Sequence, residues 1–566
     1  MISQPFPRSK IYITLLILIT LILTGKGLFI NGDFFWSDES RHAMDGVYFL
    51  DLIKDMPIFH LYQYTKQYYA KYPALGLAWY PPFFAMVEAI FYAIFGISVF
   101  TARLTVIFFA LLAVFIWYIW IRKIYNQEVA FYSGLLFITT PLVVYWSHAV
   151  MLEIPTLAMI VLCFYCFYNY FELDKKKYAY YLALSLSGAL LTKQTAGFIV
   201  PLFFSYILIR KKYKKLIKKE CIIAYIILAV FIVPLVIFTL KFGTLAIRAT
   251  LGDLNKPGRS DVLEQWLYYL HLLPDIVTRP VLILAVISTL LVMIRAKDKQ
   301  KSLLFLLWIF WWYVYFSYIF GAQGSYSQYG NYYRIYVILP FCLFAALMPN
   351  ILKNTFKIKP LTISISTLVL IIICFYQIIL SFNIKTPYIP NIYEEAAKFV
   401  TQNPKGNTTL VSAYYDGNFI FHVRRHDPKR RMIILRADKT LVSLAVFKRF
   451  GVYSHVHNEN DIYNMLQDYG TGYIVVEDKD LIGIEAFKML RKILNSKNFT
   501  LIRHIKLKDT KKYSFIPSRI RGLSLLIYRY NNITPPRVNN LVIKFPHMRK
   551  EIRVPFEVIV GNKKCY

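Results

Sequence analysis

The sequence predicts a polytopic membrane protein, in which an all-α membrane bundle is followed by a small α/β domain. Hydrophobic residues make up 57% of the 566 residues, and they gather in runs long enough to cross a bilayer. The Lys and Arg residues lie mostly in short clusters between these runs, as in cytoplasmic loops. From about Tyr388 the composition changes to that of a soluble domain.

The apolar runs predict about eleven transmembrane helices, since one helix needs roughly 20 residues. The first run follows Arg8 and Lys10, but it is longer than the apolar region of a signal peptide and is interpreted as a retained helix. The runs lie near residues 11–30, 101–121, 129–147, 156–172, 178–192, 195–210, 221–240, 277–294, 302–320, 333–349 and 361–382.

A twelfth, shorter run at residues 81–97 (PPFFAMVEAIFYAIFGI) decides the orientation. If it crossed the membrane, the basic cluster at 210–219 would lie outside, against the positive-inside rule. It is therefore predicted to be a juxtamembrane helix on the outer side. The same rule predicts that residues 178–210 form a hairpin with Lys193 at its outer tip.

This orientation divides the chain into a membrane domain, residues 1–382, and an extracytoplasmic α/β domain, residues 383–566. The membrane domain includes a first outer loop, residues 31–100, with the juxtamembrane helices. In the second domain, β-rich runs (TTLVSAYY, RMIILRA, GYIVVED, LSLLIYRY) alternate with helical stretches (YEEAAKFV, IEAFKMLRKIL). The expected location is the plasma (inner) membrane.

The formal net charge of +34 is explained by topology and does not indicate nucleic acid as a partner. The six cysteines suggest neither a disulfide framework nor a metal site.

Most of the unusual polar residues fall on the predicted outer side. Asp38 and Glu39 follow the first span, and Glu153 stands before Pro155 in SHAVMLEIP. Helix capping is the alternative explanation for these carboxylates. Lys193, in LLTKQTAGF, is more informative, because a charge near membrane depth is costly and usually faces a cavity or a partner.

Several further side chains lie near the outer ends of the predicted helices. For the arginines the alternative is snorkelling to the interface, which is the favoured interpretation of Arg279. Aromatic residues near Tyr80 suit interfacial anchoring, and a lone histidine such as His148 is commonly just hydrogen-bonded. The other candidates in this group are Arg103 and the Tyr333–Arg334 pair in SQYGNYYRIYVILP.

The order of these motifs resembles the GT-C superfamily of membrane glycosyltransferases. It is most similar to the branch that contains protein O-mannosyltransferases and the aminoarabinose transferase acting on lipid A. The matching motifs run from Asp38-Glu39 through WYPPFFAMVEAIFYAIFGISVFTARL, SHAVMLEIP and ALLTKQTAGFIVPL to YYRIYVILP. Glu153 departs from the pattern, since relatives commonly have Asp before the proline. The C-terminal domain shows no assignable match.

The resemblance implies transfer of a sugar from a polyprenyl-phosphate donor to a lipid, glycan or protein acceptor, with inversion in one displacement. Asp38 would be the base that takes the acceptor proton, supported by Glu39. Lys193, Arg334 and Arg103 would stabilise the departing phosphate, and Glu153 the positive charge at the sugar carbon.

His148, Tyr333 and Tyr80 would contact substrate. No cofactor is required, because the leaving group is already a phosphate ester, and a divalent metal is possible but not indicated. The acidic and basic residues are expected to meet in one lipid-facing chamber.

Three other functions remain open on the sequence. A transporter or flippase for a lipid-linked or small polar substrate would also have many helices and membrane charges, but usually near the midplane. A membrane-anchored carbohydrate-binding or assembly protein would depend on the C-terminal domain. An oligosaccharyltransferase would move a whole glycan, but its usual motifs are not apparent.

Overall fold

The protein is described here from a computed structural model. The structure describes residues 7–251, 262–294, 296–324, 335–355, 360–444, 450–506, 514–515 and 520–559. Two compact units are present. The first contains Met1–Phe29, Ala78–Phe84 and Arg103–Lys385, and the second contains Ile30–Leu77, Ala85–Ala102 and Thr386–Tyr566.

The described residues are mostly helical. The helices are α1 Pro7–Gly25, α2 Ser37–Asp55, α3 Leu61–Lys71, α4 Phe83–Phe95, α5 Val99–Ile124, α6 Gln127–Ile138, α7 Pro141–Ser147, α8 Glu153–Phe171, α9 Lys177–Thr192, α10 Ile199–Ile209, α11 Lys219–Phe242, α12 Thr244–Leu251, α13 Val262–Val277, α14 Arg279–Ile294, α15 Ala296–Gly324, α16 Ile338–Thr355, α17 Pro360–Phe382, α18 Ile392–Gln402, α19 Asp416–His426, α20 Ala437–Thr440, α21 Glu459–Asp468, α22 Glu485–Ile493 and α23 Phe556–Ile559. The strands are β1 Thr386–Pro387, β2 Thr408–Ser412, β3 Ile433–Arg436, β4 Val442–Leu444, β5 Val452–Ser454, β6 Thr471–Glu477, β7 Phe499–Lys506, β8 Ser514–Phe515, β9 Ser524–Tyr530, β10 Asn540–Phe545 and β11 Lys550–Pro555.

The first unit is a bundle of apolar helices. Within the described ranges, six helices are long and apolar enough to cross a membrane, and there are up to eight if each of two bent pairs counts as one span. The bent pairs are α6 with α7 and α13 with α14. Only 11% of the most apolar stretch of α11 is buried within the protein. This helix therefore has a large apolar surface suited to lipid. The expected membrane all-α fold with a small sheet-containing domain is confirmed.

Helices α8, α9 and α10 alternate in direction. Helix α9 packs against α8, and near the end of α10 Tyr206 donates a hydrogen bond to Glu172, which follows α8 (2.8 Å). Lys212, just after α10, forms an ion pair with the same Glu172 at 2.7 Å. The ends of α8 and α10 therefore lie together, and Lys193 lies at the opposite end of α9, as the predicted hairpin requires.

Helix α4 fits the predicted juxtamembrane helix. Its 13 residues span about 20 Å, which is shorter than the roughly 30 Å of a bilayer core. Met86, Ile90 and Ile94 form an exposed apolar stripe, whereas Glu88 is fully buried on another side. Such a stripe suits a helix that lies in the plane of the membrane interface.

The second unit is built around a five-stranded mixed sheet in the order β3-β2-β6-β9-β7. Strands β3, β2 and β6 are parallel, whereas β9 is antiparallel to β6 and β7. Four of these strands, β2, β3, β6 and β9, lie in the four β-rich runs of the sequence, and the two predicted helical stretches form α18 and α22. The alternation of strands and helices therefore predicted this α/β arrangement.

Most of the first outer loop packs with the C-terminal residues in the second unit, although the sequence grouped it with residues 1–382. Arg424 of α19 forms a two-pronged contact with Asp51 of α2, at 2.8 and 2.5 Å. Lys71 of α3 donates to the backbone oxygen of Ile559 at 2.9 Å. The first outer loop is grouped with the C-terminal residues because of contacts between residues far apart in the chain. The composition of the sequence does not predict such contacts.

Candidate functional site

Among the described residues of the first unit, the most buried ion pair is that of Glu153 and Lys193. Glu153 begins α8 and Lys193 directly follows α9, so the antiparallel packing of these helices brings the two residues together. Nζ of Lys193 lies 2.5 Å from Oε1 of Glu153. The Glu153 side chain is fully buried and that of Lys193 is 10% exposed, so solvent screens the pair only weakly.

Aromatic side chains enclose this ion pair. The charges of both partners act on the hydroxyl of buried Tyr336. The Tyr336 ring stacks against Phe198 with centroids 6.2 Å apart, and Trp308 donates to its backbone oxygen at 2.8 Å. In the described part of the chain, Oε2 of Glu153 is buried without a hydrogen-bond partner. The surroundings favour a fixed pair in a low-dielectric environment.

His148 lies where α7 ends and contacts the end of α1. Its Nε2 is 3.0 Å from the backbone oxygen of Leu23. A Cβ atom on Gly27 would come within 2.6 Å of the imidazole, so only glycine allows this approach. Lys26 donates to the backbone oxygen of Phe382 and lies 4.0 Å above its ring. His148 therefore has a packing role in addition to any contact with substrate.

Arg103 is buried in the first turns of α5. At the other end of α5, Lys123 donates to Tyr165 and Asn169 in the last turns of α8, at 2.9 and 3.3 Å. Arg103 is therefore at the end of the bundle where α8 begins, together with Glu153. We call this the Lys193 end of the first unit, defined by Lys26, Arg103, His148, Glu153 and Lys193. It contains three cationic side chains and one carboxylate, of which Lys193 and Glu153 are in contact.

In the second unit, Asp38 and Glu39 lie in the first turn of α2. Oε1 of Glu39 accepts from the backbone N–H groups of Phe35 and Trp36, at 3.2 and 2.9 Å. Glu39 thus satisfies two backbone N–H groups at the start of α2, where Trp36 is the N-cap residue. The Asp38 side chain is 20% exposed and contacts Arg41 at 3.5 Å, so Asp38 is the more accessible carboxylate.

Two buried carboxyl groups near α2 were not recognised as a set from the sequence. Asp45 accepts from the backbone N–H of Gly76 at 2.9 Å, and Glu88 accepts from the hydroxyl of Tyr92 at 3.1 Å. Burial raises the pKa of both carboxyl groups well above their ordinary values. The only sequence signal was Glu88 inside an apolar run, because the neighbourhood of Asp45 depends on tertiary contacts.

The other candidates are placed less centrally. Tyr80 is half-buried just before α4, and Arg279 is exposed at the start of α14, as snorkelling predicts. Tyr333 and Arg334 lie outside the described residues. Asp38 and Glu39 belong to a different unit from Glu153 and Lys193, so their meeting in one chamber stays a prediction.

Comparison with known proteins gives a family match for part of the chain and fold matches for most of it. Residues 80–238 match the family model described as dolichyl-phosphate-mannose-protein mannosyltransferase. The crystal structure of ArnT from Cupriavidus metallidurans bound to undecaprenyl phosphate is similar with a TM-score of 0.58 and 13% identity, over 92% of this chain and 97% of that one. The apo oligosaccharyltransferase of Archaeoglobus fulgidus has a TM-score of 0.54 and 11% identity, over 83% of this chain and 69% of that one. The sequence matches no curated protein.

Proposed function

Because this chain has the fold of the GT-C glycosyltransferases, we propose that it transfers a sugar from a polyprenyl-phosphate donor to a lipid, glycan or protein acceptor. The reaction would take place on the extracytoplasmic side of the plasma membrane. Two similarities support this type of donor. The name of the matching family model includes dolichyl-phosphate mannose, and the similar ArnT structure contains undecaprenyl phosphate.

The observation that most supports the proposal is the buried pair of Glu153 and Lys193. Departure of a lipid phosphate requires fixed positive charge close to the oxygen that receives the electrons. An isolated buried lysine tends to lose its proton, whereas a carboxylate in contact keeps it charged. An ammonium group has three N–H donors, so contact with Glu153 does not by itself prevent a contact with phosphate oxygens. In this proposal Glu153 positions Lys193. This role replaces the one expected from the sequence, in which Glu153 stabilised the positive charge at the sugar carbon.

Asp38 is the proposed base. As the acceptor oxygen forms its bond to the anomeric carbon, the bond from that carbon to the phosphate oxygen breaks and Asp38 takes the acceptor proton. The partly exposed carboxylate suits this role, whereas the capping contacts of Glu39 would hold the first turn of α2 in place. A base of this kind contributes about 10²–10⁴-fold to the rate. Arg103, Arg334, His148, Tyr333 and Tyr80 stay proposed contacts to donor or acceptor.

The test uses membranes that contain the protein, incubated with radiolabelled polyprenyl-phosphate sugars. Asp38→Asn should lower turnover at least about 100-fold and leave donor binding intact, since only proton transfer is removed. The matched control is Asp55→Asn, because Asp55 lies on the same helix, is equally 20% exposed and also contacts an arginine, Arg430. Equal losses in both variants would contradict the proposal. A transporter would still move its substrate with Asp38→Asn.

A further inference from the structure

A second cluster of polar side chains lies within the second unit. His422 and His426 are one turn apart on α19, with nearly parallel rings whose centroids are 6.3 Å apart. Glu394 is on α18, which packs against α19. One ligand atom from each residue can be chosen so that all lie within 4.8 Å of one another. Ligand atoms around a tetrahedral zinc ion are about 3.3 Å apart, so small side-chain movements would close the cluster.

Asp33 holds the first of these histidines. Oδ1 of Asp33 is 2.6 Å from Nε2 of His422, and both side chains are fully buried. Asp33 is itself fixed through its backbone, which pairs with Ile389. With Nε2 donating to the carboxylate, Nδ1 of His422 is the ring atom left to bind a ligand. In the described structure this buried nitrogen has no hydrogen-bond partner.

An imidazole that donates one N–H to a carboxylate and presents its other nitrogen is the usual arrangement of a metal-bound histidine. Two imidazoles and one carboxylate suit zinc. We propose that His422, His426 and Glu394 bind a zinc ion, with Asp33 as the carboxylate that orients His422. The partial exposure of Glu394 and His426, 14% and 22%, gives solvent access for a water molecule as the fourth ligand.

Two cations near Glu394 compete with a metal. Lys398 and Arg425 each lie 3.0 Å from Oε1 of Glu394. The ion pairs of Glu394 with Lys398, Arg425 and His426 are made through Oε1, and Oε2 is the oxygen that we propose for zinc. The Lys398 and Arg425 side chains are 49% and 29% exposed and can move into solvent when the ion binds.

The ion would join α18 to α19, and Asp33 would connect it through His422 to the segment that precedes α2. Asn418 of α19 also donates to the backbone oxygen of Phe34 at 2.9 Å, next to Asp33. Zinc binding would therefore stabilise the segment that leads into α2. This role is structural, and it does not depend on the proposed transferase reaction.

The test uses the purified full-length protein in detergent, treated with a chelator and then titrated with zinc sulfate. We expect about one zinc per chain by mass spectrometry of the metal content, and a higher melting temperature on zinc addition. Cobalt in place of zinc should give the visible absorption of a tetrahedral N/O site. His426→Gln and Glu394→Gln should each weaken zinc binding at least about tenfold, and Asp33→Asn by about tenfold with unchanged stoichiometry.

The control is His504→Gln, since His504 is exposed on β7, where its Nε2 lies 2.9 Å from Oγ of Ser524. It should bind zinc like the wild type. Equal melting temperatures of the metal-free proteins will show that the ligand variants fold. The proposal is overturned if the wild type takes up no zinc and gives no cobalt spectrum, or if His426→Gln and Glu394→Gln bind zinc as tightly as His504→Gln. The cluster would then be a hydrogen-bonded ionic network only.

Discussion

Replacing Lys193 with methionine removes one partner of the most buried ion pair in the described part of the first unit. Glu153 would be left without its partner in a place with no exposure to water, close to Tyr336. Loss of one partner from such a pair costs about 3–5 kcal/mol, because the remaining charge is buried without compensation. The Lys193 side chain is 10% exposed, so some water can reach Glu153 and we expect the lower end, about 3 kcal/mol.

The measurement is a double-mutant cycle with Lys193→Met, Glu153→Gln and the double variant, unfolded by denaturant in detergent and followed by tryptophan fluorescence. Removing both charges should cost much less than the sum of the single changes, giving a coupling of about 2–3 kcal/mol. The control is Lys212→Met, which breaks the pair with Glu172, where the side chains are 20% and 16% exposed. We expect about 1 kcal/mol there, since water screens that pair more strongly.

The reasoning is refuted if the two single changes add to within about 0.5 kcal/mol, or if Lys212→Met is as costly as Lys193→Met. Lys193→Arg separates stability from chemistry, because it keeps the charge. It should retain most of the stability while turnover falls, since the flat guanidinium presents its donors in a different geometry.

Three further predictions concern the second unit. Burial raises the pKa of Glu477 to about 7, so its stabilising contribution is present below the unfolded value of about 4.5 and is lost as the pH rises to 7. Glu477→Gln should therefore gain about 3 kcal/mol over the wild type at pH 8 and nothing at pH 4, measured by urea unfolding. Gly46→Ala would place a Cβ atom 2.3 Å from Oε2 of buried Glu88 and should cost about 1–3 kcal/mol in the same assay, whereas Gly25→Ala, which meets nothing within 4 Å, should be tolerated. Glu39→Ala should cost about 1 kcal/mol because two backbone N–H groups lose their acceptor, and Glu39→Gln, which keeps an oxygen there, should cost much less, as measured by thermal unfolding.

Charge distribution along the sequence predicted the direction of the helices. The hairpin with Lys193 at its tip followed from placing the basic residues at 210–219 on the cytoplasmic side. The contacts of Glu172 with Tyr206 and Lys212 show the same alternation in the structure. The alternation was predictable because membrane topology depends on the order of apolar runs and cations, which is a one-dimensional property of the chain. The side of the membrane on which Lys193 lies stays a prediction.

Side-chain partners were not predictable in the same way. Glu153 and Lys193 were both selected as candidates, but their contact across 40 residues depends on how α8 and α9 pack. Asp33 and His422 are 389 residues apart, and neither was selected. The sequence signal for the second cluster was a pair of histidines one turn apart on α19. Such a pair does not indicate a metal site unless Asp33 and Glu394 are known to lie nearby.

The pairing bears on Glu153, where the family resemblance of the sequence implies an aspartate. A carboxylate acting directly on the sugar carbon would have to keep a fixed distance, and one added methylene would displace it. A carboxylate that holds Lys193 has no such requirement, because the four-carbon side chain of lysine can adjust to either length. Glu153 meets Lys193 at 2.5 Å with no exposure to water, so the longer side chain makes full contact. The substitution is therefore easier to reconcile with a positioning role for Glu153 than with direct stabilisation of the sugar.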